Sequence, residues 1–225
     1  MNTSTNSFWD QSKNLFLAYI QLIGFYFIFF ILLGIIQQVF PGIDLTKYSQ
    51  KDLMQLIEKE KLHAFFSLIL IAPIIEESMF RTLLRPSSKE LTLWGSTWIV
   101  SILWGVLPKM SWYYSYPLLL ISISLVFFIL SLLISKKILR KACTFLSQKE
   151  IWILQITAVV FGLFHIVNYV DSFLLDSALF LLIVPRIIAG HVFGTLKIKN
   201  RHIIWPITLH AMNNGIIYLL FILRS

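Results

Sequence analysis

The chain has 225 residues, of which 57% are hydrophobic and only 13% charged. Soluble domains carry roughly 25% charged residues, so the sequence cannot cover a water-facing surface and reads as a membrane protein. Its net charge of +8 lies in short connections between apolar runs, which argues against a nucleic-acid partner and for orientation in a bilayer, and the single Cys143 excludes a disulfide framework or a multi-cysteine metal cluster.

Seven mostly apolar stretches follow one another, at 15–36, 62–84, 91–107, 117–134, 151–169, 173–196 and 203–223. Each is near the ~20 residues that one helical crossing needs. A lipid core leaves no partner for unpaired backbone groups, and the runs are too long and continuous for barrel strands, so helices are expected. The first run lacks a small-residue cleavage pattern and reads as a retained span. Between the first two, residues 44–61 set Leu45, Tyr48, Leu53, Leu56 and Ile57 among four lysines and four acids, the pattern of an amphipathic helix on the membrane surface.

The expected fold class is therefore all-α: a polytopic transmembrane helical bundle of about seven spans with one surface amphipathic helix. Residues 1–61 form an N-terminal span and surface segment, and 62–225 a core. Lys and Arg in alternate connections number 11 on the N-terminal side against 6 opposite. That bias predicts a multi-pass protein of the cell membrane with a cytoplasmic N-terminus.

Ionisable and amide groups inside the spans are the next signal. Each charge at mid-bilayer costs on the order of 2.5–3.5 kcal/mol on insertion scales, so such groups are retained when partnered or used. In the second span, Glu77 and Arg81 are four apart and share a helical face, as an ion pair would. Glu76 is turned about 100° away and is left as the free carboxylate, the kind of group that serves as general base toward water. Phe161 and His165 are four apart in the fifth span, and His210 and Asn214 in the seventh. One carboxylate, two imidazoles and an amide on three helices make a hydrolytic set: a base for water, a histidine to orient it, and donors for an oxyanion. The chain has no GxSxG elbow, HExxH or GxGD motif.

The strings EESMFR (76–81), FGLFH (161–165) and HAMNN (210–214) resemble, in order, the EExxxR, FxxxH and HxxxN motifs of the CPBP (Abi) family. That family groups type II CAAX prenyl endopeptidases with bacteriocin-processing and bacteriocin-immunity proteins. Residues 186–194, with Gly190 and Gly194 four apart, also look like its glycine-bearing helix. The resemblance spans roughly 62–223 and implies an intramembrane protease core acting on a peptide or protein substrate in the membrane, in a bacterial plasma membrane. It implies that Glu76 activates water with help from His165, that His210 and Asn214 stabilise the oxyanion, and that Glu77 and Arg81 shape the first-motif helix, with Phe161 in support. Metal-independent water activation is favoured and no cofactor is assigned. The alternative is zinc on Glu76, His165 and His210, since the ligand types permit it. A non-catalytic self-immunity protein is the alternative function.

Other polar groups have plainer readings. Asp176 is expected to reach headgroups, Arg186 to need a partner the sequence does not name, Gly190 and Gly194 to be close-packing positions, and the many Phe and Trp to face lipid or the interface. Depth poses one condition. At 1.5 Å per residue, Glu76 and His210 lie roughly 11–12 Å from their helix ends and His165 roughly 21 Å. The three converge only if the fifth helix starts outside the bilayer or tilts.

Overall fold

A computed structural model describes residues 7–108, 110–170 and 174–223, and among them every regular element is helical. The expected start of the sixth span, Phe173, lies outside the described residues.

Helix α1 (Phe8–Val39) opens with a capping box, in which the Asp10 N–H donates to Ser7 Oγ at 3.1 Å and the Asp10 carboxylate accepts the Ser7 N–H. At 32 residues it outruns a hydrocarbon core about 30 Å thick. Its first turns are tied down instead by polar contacts. Asn14 Nδ2 donates to Asn200 Oδ1 at 2.8 Å, Asn200 Nδ2 to the Gln11 carbonyl at 2.9 Å, and Trp205 Nε1 to Gln11 Oε1 at 3.1 Å. Beyond them only Ala18 and Leu22 are fully buried, Leu15, Tyr19 and Tyr26 pack partly against the main core, and many of the remaining apolar side chains, Phe16, Leu17, Phe27 and Ile28 among them, are exposed.

A single 3-10 turn (Leu45–Lys47) leads into the amphipathic helix α2 (Lys51–Lys59), whose Ile57 is buried with Ala64 and Tyr218. Helix α3 (Lys61–Phe65), a π-helical segment (Phe66–Ile71) and α4 (Ala72–Phe80) form one continuous apolar run of 20 residues. Pro73 explains the change of pitch. It has no N–H to give, so the ladder upstream widens and the Ala72 N–H reaches the Ser67 carbonyl, five residues back. The Leu68 carbonyl is thereby left without a helical donor.

Helices α5 (Ser88–Trp104) and α6 (Trp112–Leu133) pair over Ile71, Val100, Leu119 and Ile123. Helix α7 (Lys136–Gln148) occupies what the sequence pattern presents as a connection. Its apolar residues recur with helical spacing over a length too short to cross a bilayer. Then follow α8 (Glu150–Phe164), a 3-10 turn (His165–Asn168), α9 (Ser177–Asn200) and α10 (Ile204–Ile222).

Glycines set the closest packing. A Cβ on Gly162 would collide with Ile187 and one on Gly194 with Leu154, so α8 and α9 approach at small residues, as membrane helices do. Among the described residues, five helical runs are long and apolar enough to cross a membrane: Phe8–Val39, Lys61–Phe80, Trp112–Leu133, Glu150–Asn168 and Ser177–Asn200. The remaining two expected spans are also helical. Helix α5 has 17 residues, and α10 carries the polar His210, Asn213 and Asn214.

Two plainer expectations are corrected. Asp176 does not reach outward for headgroups: it caps α9 by accepting the Leu179 N–H at 2.9 Å, pairs with Lys47 at 3.2 Å and accepts the Tyr48 hydroxyl at 2.6 Å. The connection before α2 supplies those partners, which the linear spacing does not reveal. Nor do the aromatic residues all face lipid, because Phe80, Phe161 and Phe193 are buried in the main core.

Candidate active site

Successive residues on a helix diverge by about 100°, and on α4 this sends Glu76 and Glu77 to different partners. Glu77 is completely buried, with Oε2 at 3.3 Å from Arg81 Nε and Oε1 at 2.9 Å from His210 Nδ1. One carboxylate therefore joins the intrahelical cation to an imidazole on α10. The second contact crosses between helices, and no spacing in the sequence announces it.

Arg81 is as deeply buried, lying over the Phe161 ring at 4.7 Å and the Phe80 ring at 5.8 Å. Such cation–π contacts soften the cost of burying a guanidinium. Gly190 makes the room, since a Cβ there would stand 3.1 Å from Arg81 Nη2.

Glu76 points to the cavity. Its Oε2 is 3.7 Å from His165 Nε2 and 3.9 Å from His210 Nε2, and it has no direct hydrogen-bond partner. These separations exceed a hydrogen bond, and both ring nitrogens stand within reach of a water bound at Glu76.

Both imidazoles are oriented from behind. His165 Nδ1 is 2.7 Å from the Phe161 carbonyl, which only accepts, so Nδ1 carries the proton and Nε2 presents a lone pair toward Glu76. His210 Nδ1 donates to Glu77 in the same manner, leaving Nε2 on the Glu76 side. The Phe193 ring stacks on His210 at 4.9 Å and 26°. Phe161 is the hub of this arrangement: its carbonyl holds His165, while its ring meets Arg81, Phe80 at 5.5 Å and His210 at 5.8 Å.

Asn214 lines the cavity, but one of its amide N–H groups donates at 2.9 Å to the Leu68 carbonyl that the π-helical segment frees. A single N–H is left for any other acceptor. His165 and His210 both come within 4 Å of Glu76, so the three side chains converge. Helix α8 starts at Glu150, where Arg85, beyond the end of α4, pairs with the Glu150 carboxylate. The residues after Phe80 are not helical, so the 1.5 Å measure does not carry across them, and His165 arrives beside Glu76.

The cavity has a volume of about 560 Å³ and brings together Glu76, His165, Arg186, His210, Asn213 and Asn214. Helix α1 adds Tyr19, Ile23, Tyr26 and Phe30 to its wall, and the chain leading into α2 adds Gln50. The sequence pattern shows none of these contributions from the first 61 residues. It does not single out Phe193 either, although that residue lies between the two glycines that mark its helix.

Among the described residues, no group of three or more His, Cys, Asp or Glu side chains is arranged to hold a metal ion. Glu76, His165 and His210 as placed are not such a group.

Residues 58–140 and 136–216 match the family described as type II CAAX prenyl endopeptidase Rce1-like. No curated protein and no solved structure gives a significant match to the chain. The three motif strings lie inside the matched residues, and α1 lies before them.

Proposed function

The chain belongs to the type II CAAX prenyl endopeptidase Rce1-like family, and from that premise we propose that it hydrolyses a peptide bond of a membrane-associated peptide or protein by water that Glu76 and His165 activate. The observation that carries this reading is the placement of two imidazole Nε2 atoms around Glu76 Oε2, at 3.7 and 3.9 Å, on the wall of the cavity.

A water held between the Glu76 carboxylate and the His165 lone pair donates to both. As its oxygen attacks the substrate carbonyl carbon, its proton passes to Glu76. The carbonyl oxygen becomes an oxyanion, which the protonated Nε2 of His210 and the remaining Asn214 N–H receive. Glu77 orients His210 through Nδ1, and Arg81 fixes Glu77. When the C–N bond breaks, Glu76 returns the proton to the leaving amine. In this reading helix α1 with α2 is an N-terminal unit that closes one side of the cavity, and the excess of Lys and Arg on one side supports a cytoplasmic N-terminus.

The test is mass spectrometry of membrane peptides in cells producing the wild type or Glu76→Gln, His165→Ala or His210→Ala at equal abundance. General-base removal is expected to slow processing by about 10²–10⁴-fold, so an uncut precursor accumulates beside each variant. Normal processing by all three would overturn the proposal.

A further inference from the structure

Helix α7 joins two spans with almost no slack. Helix α6 ends at Leu133 and α7 begins at Lys136, while α7 ends at Gln148 and α8 begins at Glu150. Both flanking helices belong to runs long and apolar enough to cross a membrane, so their shared end holds α7 at the edge of the bilayer, at headgroup level. Trp152, exposed in the first turn of α8, is the kind of side chain that marks this level.

The helix has three sides. Leu139 is buried against the bundle, and Ala142, Cys143 and Leu146 are half-buried beside it. At 100° per residue, Ile138 and Phe145 share a second side, and both are exposed. Lys136, Lys137, Arg140 and Lys141 occupy the third and are exposed as well. Arg140 and Lys141 line a shallow groove with Thr144, Phe145 and Gln148.

Nothing within the helix favours this placement of cations. Lys136 and Lys137 stand in the first turn, where the helix dipole favours acids. Lys136 with Arg140, and Lys137 with Lys141, are like-charge pairs four residues apart, which repel. The helix contains no acid. Glu90 and Glu150, on the helices packed against it, are held by Lys197 and Arg85. Among the described residues none of the four cations forms an ion pair. The repulsion is relieved by an anion from outside the chain.

The exposed apolar side identifies that anion. A phospholipid with an acidic headgroup sets its phosphate among cations and its acyl chains against Ile138 and Phe145, as amphipathic helices at an interface require. A soluble acidic partner would meet the cations and leave the apolar side unused.

We propose that α7 binds anionic phospholipid of the surrounding leaflet, with Lys137, Arg140 and Lys141 around the phosphate and Ile138 and Phe145 against the acyl chains. The site is separate from the cavity and does not depend on the hydrolytic reading.

The test is native mass spectrometry of the full chain in detergent, titrated with phosphatidylglycerol or with phosphatidylcholine of the same acyl chains. At roughly fivefold per cation near a membrane surface, the wild type is expected to hold phosphatidylglycerol more tightly by about 25-fold or more. Arg140→Gln/Lys141→Gln reduces the preference to about fivefold or less and leaves phosphatidylcholine binding unchanged. Lys59→Gln/Lys61→Gln, which removes the same charge from a segment where acids balance the lysines, keeps the preference in full. Equal retention of the two lipids by the wild type, or a preference that survives Arg140→Gln/Lys141→Gln, would overturn the proposal. So would an equal loss in Lys59→Gln/Lys61→Gln, or displacement of phosphatidylglycerol by inorganic phosphate or hexaglutamate at equal concentration. Thermal unfolding in phosphatidylcholine micelles separates binding from a structural role. There Arg140→Gln/Lys141→Gln, relieved of repulsion, should unfold at or above the wild-type temperature, and a lower midpoint would make the cations part of the fold and end the proposal.

Discussion

Lys197 and Glu76 are both charged side chains on helices apolar enough to cross a membrane, and they are held in opposite ways. Lys197 is fully buried, with Nζ at 2.8 Å from Glu90 Oε1 and 3.0 Å from the Arg201 carbonyl. Its contacts lock the end of α9 to the start of α5. The buried oxygen of Glu76 has no hydrogen bond, and two imidazole nitrogens stand at 3.7 and 3.9 Å from it, beyond hydrogen-bond distance. A charge that stabilises the fold is matched where it lies. Glu76, to which the proposed function gives the chemistry, is surrounded by oriented groups that stop short of it.

The largest effect on stability should therefore come from breaking the matched pair. Glu90→Gln leaves Lys197 buried without its anion, and removing one partner of such a pair costs about 3–5 kcal/mol. Adding Lys197→Met is expected to restore most of the loss, because an apolar side chain of similar length suits the site. Glu76→Gln, by contrast, should leave the unfolding midpoint in detergent within a few degrees of wild type or above it. Equal destabilisation by Glu90→Gln and Glu76→Gln would abolish the distinction between the two kinds of charge.

A smaller effect should reach the site through packing. A Cβ on Gly190 meets Arg81 Nη2 and Ala158 Cα at 3.1 Å and the Ala158 carbonyl at 3.2 Å. The backbone of α8 cannot yield as a side-chain tip can, so Gly190→Ala is expected to cost about 1–3 kcal/mol, the usual range for overpacking. Because Arg81 holds Glu77 and Glu77 holds His210, peptide cleavage should fall as well. Gly95→Ala is the control, since its Cβ would find only Leu130 Cδ1 at an ordinary 3.6 Å. If both variants unfold at the same temperature, Gly190 is not the space-maker for Arg81.

The sequence is legible where a signal lies within one helix. Runs of apolar residues mark the spans, and four-residue spacings mark the Glu77–Arg81 pair and the shared face of Phe161 and His165. It is illegible where helices cross, because rotation and tilt decide such contacts and periodicity records neither. The Glu77–His210 bond, the Phe193 ring on His210 and the wall contributed by Tyr26 all belong to this class. The Asn214 contact with Leu68 is intermediate. Pro73 gives notice that a carbonyl upstream loses its donor, but which side chain answers it depends on the position of α10. Helix α7 is hidden for another reason: four cations in 13 residues resemble a connection until the spacing of Leu139, Ala142, Cys143 and Leu146 is followed.

The mildest test concerns a matched charge in water, where solvent shares the work. Asp176 lies ahead of the first turn of α9, and the Leu179 N–H, the Tyr48 hydroxyl and Lys47 lower its carboxyl from the ordinary 3.8 to about 2. A group whose folded value lies below its unfolded one stabilises the fold fully at pH above the unfolded value, and the benefit fades as pH falls toward the folded one. The clasp between the connection before α2 and the start of α9 should thus be intact above about pH 4 and weaken toward pH 2. Asp176→Asn keeps an acceptor for Leu179 but loses the attraction to Lys47. Wild type should unfold at a slightly higher temperature than Asp176→Asn at pH 6, and the two should coincide near pH 2. A gap of the same size at both pH values would mean that the side chain acts through shape and hydrogen bonding alone, and that the charge of this clasp, unlike that of Glu90 against Lys197, contributes nothing to holding the helices together.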